Sequence, residues 1–309
     1  MWQRPGADNL GTVDRRFFLQ TLALSSLAGC GPVQMMSPAS AAASTKAATV
    51  DEIIDRRIAT NVTGDEFVAV LTANPNIVRR APKTAAAYRA GLRDPAALAQ
   101  FNQGRIKALR RLKAADLDPT IKMFMLDLQL EKVDHSVAMC MDHFVGVYEL
   151  LRQWGHRDEI AHVGLFHAIY GTEFNIIDLL NYKSPADRAR VQSVVGDGTE
   201  RWIVLYGLLT SCSFVRGTRD TGKPVTSVDF FEPTNVLPRA ISDDDFRTLA
   251  ELQVANAYEP YVSSKRQSEL GLGRKFTLLR EYLSTGGQAA IDDVLRVFPK
   301  NTDADIGCA

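Results

Sequence analysis

The stretch that sets the architecture is His143-Phe144-Val145-Gly146-Val147-Tyr148-Glu149-Leu150-Leu151-Arg152-Gln153-Trp154-Gly155. It is followed after a short break by Val163-Gly164-Leu165-Phe166-His167-Ala168-Ile169. Val147, Leu150, Leu151 and Trp154 recur three and four positions apart, the period of one helix face. The second segment is small and apolar and closes on a histidine. The reading is two consecutive helices, near 135–154 and 158–170, separated by the turn Trp154-Gly155-His156-Arg157.

Working outward, the same period continues through the body of the chain. It predicts helices near 51–60, 64–72, 84–92, 95–115, 119–131, 173–181, 186–195, 197–211, 243–258, 260–269, 273–284 and 287–297. Start signals support several of them. Ser184-Pro185-Ala186-Asp187 offers an N-cap serine, proline at the first helical position and an acid three residues after the cap. Ser242 with Asp245 is a similar pair. The expected fold class is therefore all-α: a single multi-helix domain over 51–309, with its core about 120–285. One long irregular insertion, about 214–240, interrupts it. That insertion holds Gly217, Gly222, Pro224, Pro233 and Pro238, and Val225 to Phe231 is locally strand-like. Long loops within a domain are usually functional or disordered. Arg216, Arg219 and Lys223 lie here and could meet an anionic substrate or simply be solvated. Strands do not alternate with helices, which argues against a doubly wound nucleotide fold.

The first fifty residues differ in kind. Asp14-Arg15-Arg16-Phe17-Phe18-Leu19-Gln20 matches a twin-arginine export pattern. The apolar run Phe17 to Ala28 is too short to span a bilayer, which needs ~20 residues. A positive start, a short apolar core and a small-residue cleavage zone define a signal peptide, expected over 1–30. Leu27-Ala28-Gly29-Cys30 looks like a lipobox, so Cys30 is the expected lipid attachment site. More than one acyl chain gives stable anchoring. Residues 31–50 are rich in Ala, Ser, Thr and Pro and read as a disordered tether. The expected partners are membrane lipid through Cys30 and the twin-arginine export machinery. The expected location is a lipid-anchored position on the periplasmic face or cell surface. Gly31 does not look like an inner-membrane retention signal.

Charge is balanced, with 36 basic and 36 acidic residues. That gives no electrostatic reason to expect nucleic acid. Arg105, Lys107, Arg110, Arg111 and Lys113 are spaced like a solvated helix face. Of four cysteines, Cys140 and Cys212 lie in apolar stretches, as buried thiols or as a disulfide that spacing alone does not pair.

All five histidines fall between His135 and His167. Imidazole is the commonest neutral nitrogen ligand for transition metals, and such clusters on neighbouring helices can converge on one ion. His135 and His143 are about 80° apart on a helical wheel, so they can border one cavity. His162 and His167 are about 140° apart and do not serve one ion. His156, in the turn, is expected at the surface. His143 and His167 read as metal ligands or as core or substrate-facing histidines.

The spacing His143-x3-Val147-x2-Leu150-Leu151 with Gly164-Leu165-Phe166-His167 resembles the HD-domain superfamily, all-helical metal-dependent phosphohydrolases. The alarmone hydrolase domains are the nearest likeness within it. Gly164-Leu165-Phe166-His167-x2-Tyr170-Gly171-Thr172, with Phe246-Arg247-x-Leu249-x-Glu251-x3-Ala255-Asn256, more closely resembles an uncharacterised bacterial family of domains of unknown function. The HD resemblance implies metal ligation by His143 and His167, assisted by His135, with zinc, manganese or iron as the ion. It departs from the pattern at Ala168, where an Asp is expected. A later Asp is also missing, its place aligning with Tyr206. Glu173, Asp142 and His135 are the candidate substitutes for the lost carboxylates. Tyr170 could donate to an oxyanion or cap the core. The resemblance thus implies a metal-dependent hydrolase of a small phosphorylated metabolite, with Glu173 and Tyr170 as catalytic candidates and Arg216 and Arg219 as substrate contacts. The alternatives are a non-catalytic module binding a small-molecule ligand, or an iron oxygenase of the HD type.

Overall fold

Proline-initiated, side-chain-capped helices build most of the chain. The computed structural model describes residues 47–66, 69, 91, 93–133, 139–172, 179–209, 227–231, 236–240, 242–264, 277 and 279–297. Helix α1 is Val50–Ala59, closed at its start by a capping box between Thr49 and Glu52. Helix α2 is Pro95–Ala114, where Asp94 accepts from Ala96 N. Helix α3 is Pro119–Asp127, where Asp118 accepts from Thr120 N. Each cap satisfies an amide that the helix itself leaves without a partner. Proline stands first in α2 and α3, where its missing N–H costs nothing.

Helix α4 is Cys140–Gln153 and α5 is Asp158–Phe166. Helix α6, Pro185–Val195, starts on Ser184, which accepts from Asp187 N at 3.3 Å, as its sequence signal requires. Helix α7 is Asp197–Leu208. The pair β1, Ser227–Phe231, and β2, Val236–Ala240, forms an antiparallel ribbon, with Ser227 opposite Ala240 and Phe231 opposite Val236. The strand-like stretch of the insertion is thus a true strand, and the domain is otherwise all-α among the described residues. Helix α8 is Asp243–Ser264 and α9 is Thr285–Val297.

Several boundaries differ from expectation: the helix predicted at 197–211 ends at Leu208, and the end of that predicted at 273–284 is a 3-10 turn, Arg280–Tyr282. The predicted helix 119–131 breaks after Asp127, because Gln129 adopts a left-handed φ of 53° before a 3-10 turn at Leu130–Lys132. The predicted helix 158–170 ends at Phe166, and His167 to Ile169 form a turn. The predicted break between 243–258 and 260–269 is absent: α8 runs straight through Pro260 to Ser264. Proline there removes only one helical hydrogen bond, that to the Asn256 carbonyl. Burial of Phe246, Leu249, Ala250, Leu252, Val254, Ala255 and Ala257 holds the helix together. The helices predicted at 84–92 and 173–181 fall wholly or mostly outside the described residues.

Within the unit Ala48–Ala309, α4 is the central element. It packs against α2, α5 and α8. From Cys140 to Tyr148 every residue of it is buried. A helix enclosed on all sides is normally apolar all round. Two exceptions, Asp142 and His143, therefore need partners. Phe144, Val147 and Leu151 of α4 meet a core that includes Val163, Leu165 and Phe166 of α5. Burying a side chain of this size contributes about 1.5–3 kcal/mol. Gly171, after α5, has φ 82°, a left-handed conformation that glycine adopts without strain.

The α4–α5 contact depends on Gly164. A Cβ at that position would lie 3.0 Å from Val147 Cγ1, 3.1 Å from Leu151 Cδ1 and 3.1 Å from the Tyr148 amide nitrogen. The backbone nitrogen cannot move aside. Gly164→Ala gains ~1 kcal/mol of helix propensity but overpacks the contact at about 1–3 kcal/mol, and we expect a net loss of about 1 kcal/mol. Urea unfolding checks this. An alanine variant as stable as the parent would mean that the two helices are not in close contact.

Candidate functional site

His143 projects from the enclosed face of α4 and is fully buried. Its Nδ1 lies 2.7 Å from Glu259 Oε2, and its Nε2 lies 2.8 Å from Asn256 Oδ1. Both partners come from α8, where Asn256 and Glu259 are three residues apart and share a face. The Asn256 Nδ2 donates to the Tyr206 hydroxyl at 2.8 Å, and that hydroxyl donates to Gln253 Oε1 at 3.1 Å. Glu259 is buried, whereas Asn256 and Gln253 are partly exposed. One side of the imidazole is therefore sealed, and the other leads toward solvent through two carboxamides.

His167 follows α5 and is 2 % exposed. Its Nδ1 donates to the Gly164 carbonyl at 2.8 Å. The rings of His143 and His167 are 5.3 Å apart, edge to face. Phe144 meets the His167 ring at 4.7 Å and Tyr206 meets it at 5.7 Å, both edge to face. Burial holds the Tyr206 phenol well above its usual pKa, so it stays a neutral donor.

Behind Glu259 stands a charged cluster. Arg111 of α2 approaches Glu259 Oε1 at 3.4 Å, and it donates to the Asp142 carbonyl at 2.9 Å and to Asp142 Oδ1 at 3.1 Å. Its remaining nitrogens hold Glu149 Oε2 at 3.1 and 2.6 Å. Burial opposes the charge on Arg111, but the bonds to Glu149 and Asp142 outweigh it and raise its pKa. Lys107 takes the second Asp142 oxygen at 2.7 Å. Asp142, a proposed substitute ligand, is thus committed to two cations.

Of the residues singled out from sequence, His143 and His167 are brought together. Tyr170 is placed elsewhere: its hydroxyl donates to Glu200 at 3.1 Å. The buried Glu200 is also gripped by Arg188 at 2.8 and 2.7 Å and by Gln192 at 3.2 Å. Burial, then the Glu200 charge, pushes the Tyr170 phenol far up. Its hydroxyl is thereby committed to Glu200. His135, Glu173, Arg216, Arg219, Lys223, Cys212, Cys30, Arg15 and Arg16 lie outside the described residues.

One expectation is corrected. His156 is not a surface residue: its side chain is 14 % exposed, and Nε2 lies 3.3 Å from the buried Glu251. The turn carries it inward because Gly155, at φ 85°, reverses the chain after α4. Tyr206, aligned with the missing later Asp, is one step removed. The group directly on His143 is Asn256, with Tyr206 behind it. Asn256 and Glu259 lie at i and i+3 on α8, a spacing that points to a site only once the burial of that face is known.

Among the described residues no three His, Cys, Asp or Glu side chains gather as a metal-holding group. The groups gathered at His143 are instead two imidazoles and one carboxamide. Such a set suits a borderline transition metal better than calcium or magnesium.

A family described as a domain of unknown function, DUF6817, matches residues 124–210. That span holds His143, His167, Tyr170, Glu200 and Tyr206 but stops short of α8, which supplies Asn256 and Glu259. No curated protein and no solved structure matches the chain.

The placement of α8 depends on one further contact. Asp245 is held by Arg201 of α7 at 2.6 and 2.5 Å and by Trp202 Nε1 at 2.8 Å. The Arg201 bond acts first, against burial, and with Trp202 and Ser242 it holds the Asp245 carboxyl far below its usual range. A depressed carboxyl contributes stability above the unfolded pKa, ~3.9, and loses it as pH falls through the lower folded value. Asp245→Asn should therefore cost roughly 1–2 kcal/mol at pH 7, a modest figure because Arg201 is half exposed. The difference from the parent should shrink below about pH 4. Denaturant titrations at pH 7 and pH 3 read both values, and a gap that stays constant with pH would count against the assignment.

Proposed function

We propose that this chain is an exported, lipid-anchored HD-like protein. In this reading His143 and His167 hold a divalent transition metal through their Nε2 atoms, with the Asn256 carboxamide as a neutral third donor. The observation that carries the reading is how the two rings are fixed. Each gives Nδ1 to a protein acceptor, the Glu259 carboxylate at 2.7 Å and the Gly164 carbonyl at 2.8 Å. Metal-ligating histidines are commonly held this way, which sets the tautomer and turns Nε2 toward the ion. The partly exposed Asn256 and Gln253 give that side of the site a route to solvent.

The reaction we assign is hydrolysis of a small phosphorylated molecule. A divalent ion would supply Lewis acidity toward a phosphoryl oxygen and a more acidic bound water. The chain's own residues hold the rings, keep the Tyr206 phenol protonated as a donor, and exclude water from the Glu259 side. Zinc, manganese and iron all suit imidazole donors. Export through Arg15-Arg16 and anchoring at Cys30 belong to the same proposal, supported by the sequence pattern alone. No helix among the described residues is long and apolar enough to cross a membrane.

A second reading is favoured by Ala168, which is 2 % exposed, and by Asn256. With no carboxylate directly on the ion, the site can bind a ligand without turning it over. Elemental analysis of the full chain in detergent tests the metal. About one equivalent, lost in the His143→Ala, His167→Ala double variant with its helical content intact, supports the first reading. Its absence from the parent overturns both the metal and the hydrolase. Loaded protein that releases no phosphate from a panel of phosphomonoesters leaves the binding module.

A further inference from the structure

Glu259 is an unusual residue to find in an apolar core. It is 3 % exposed, and its two oxygens are divided between His143 Nδ1 at 2.7 Å and Arg111 at 3.4 Å. Burial of an ionised carboxylate is costly unless it is paired and hydrogen-bonded, and here both conditions are met. The space it occupies comes from a particular residue of α4. A Cβ on Gly146 would lie 2.5 Å from Glu259 Oε1, 2.7 Å from Glu259 Cγ and 2.8 Å from an Arg111 guanidinium nitrogen. Glycine is otherwise unfavourable within a helix by roughly 1 kcal/mol. Gly146 lies three residues after His143, one helical turn along the same face. The helix that carries the imidazole thus also makes the opening through which the carboxylate reaches it.

We infer that Glu259 is the positioning residue for His143, with Gly146 as its seat and Arg111 as its counter-charge. The carboxylate fixes the proton on Nδ1 and directs Nε2 toward Asn256 Oδ1. It also makes the ring a stronger donor, because a hydrogen-bonded carboxylate raises ligand basicity. Arg111 ties this arrangement to the surface, since the same guanidinium holds Glu149, which is partly exposed, and Asp142, the residue before His143. The inference rests on the metal reading only for its effect on affinity. The proton on Nδ1 follows from its contact with a carboxylate, which only accepts, while Nε2 faces a second acceptor, Asn256 Oδ1.

The test uses the full chain in detergent, with 15N-labelled histidine, and zinc alone as the probe. Long-range proton–nitrogen NMR should place the His143 proton on Nδ1, far downfield and slow to exchange. Glu259→Gln should move that signal and weaken zinc binding about 10- to 100-fold. Gly146→Ala should weaken it in the same direction without altering any chemical group at the site, because the added methyl displaces the carboxylate. Glu259→Asp should recover part of the loss. Nδ1 found without a proton in the parent overturns the inference, and so does a Glu259→Gln variant that keeps both the signal and the affinity. If the parent binds no zinc, the metal reading fails, while the Nδ1 signal still decides the role of Glu259. Should Glu259→Gln not fold, the parent spectrum and Gly146→Ala remain decisive.

Discussion

The hydrogen bond between His143 and Glu259, 2.7 Å long and closed off from water, is the constraint that the rest of the structure accommodates. Two ionisable groups in an apolar interior cost free energy unless each has partners of its own. Removing one member of such a pair typically costs about 3–5 kcal/mol, because the other is left buried and alone. The demand spreads outward from there. Glu259 needs Arg111, Arg111 needs Glu149 and Asp142, and Asp142 draws in Lys107. α2, α4 and α8 are joined by this chain of charges as well as by their apolar faces. A residue near 111, one near 143 and one near 259 must all be in place before any of them is satisfied.

The other end of the imidazole faces a different environment. There the groups are neutral: Asn256, Tyr206 and Gln253, linked in a row at 2.8 and 3.1 Å. Carboxamides and a phenol can each donate and accept, so the row can accept either sense of bond from the ring. The asymmetry is the chemical point of the site. A fixed anion stands behind the ring, and adaptable neutral dipoles in front of it lead toward solvent. α7 contributes at both ends of its own length. Arg201 and Trp202 grip the start of α8 through Asp245, and Tyr206 reaches Asn256 one helical turn farther on.

Local features were legible in the sequence, and long-range ones were not. The caps at Ser184 and Ser242 follow from one residue and its neighbours three positions on, and they stand where expected. So do the helical period and the strand within the insertion. His143 and His167 were recognisable because histidines are few and clustered, and the structure sets their rings 5.3 Å apart. Glu259 was not legible: a glutamate three residues after an asparagine on a long helix reads as surface until its burial is known. Its partner lies 116 positions away. Pro260 misled, because a proline in a helical period suggests a break, and only burial of the flanking turns carries α8 through it. His156 misled for the opposite reason, since a polar residue in a glycine turn ordinarily faces water.

In the metal-bound state proposed above, these two histidines present Nε2 to one ion. The most direct measurement is a crystal structure of zinc-loaded protein with data collected on both sides of the zinc absorption edge. One anomalous peak is expected within about 2.0–2.1 Å of Nε2 of both His143 and His167, with Glu259 still bonded to Nδ1. An intact His143–Glu259 pair with no peak near either ring, in crystals that take up zinc elsewhere, would contradict it. The cluster would then stand as a structural keystone of the helical core.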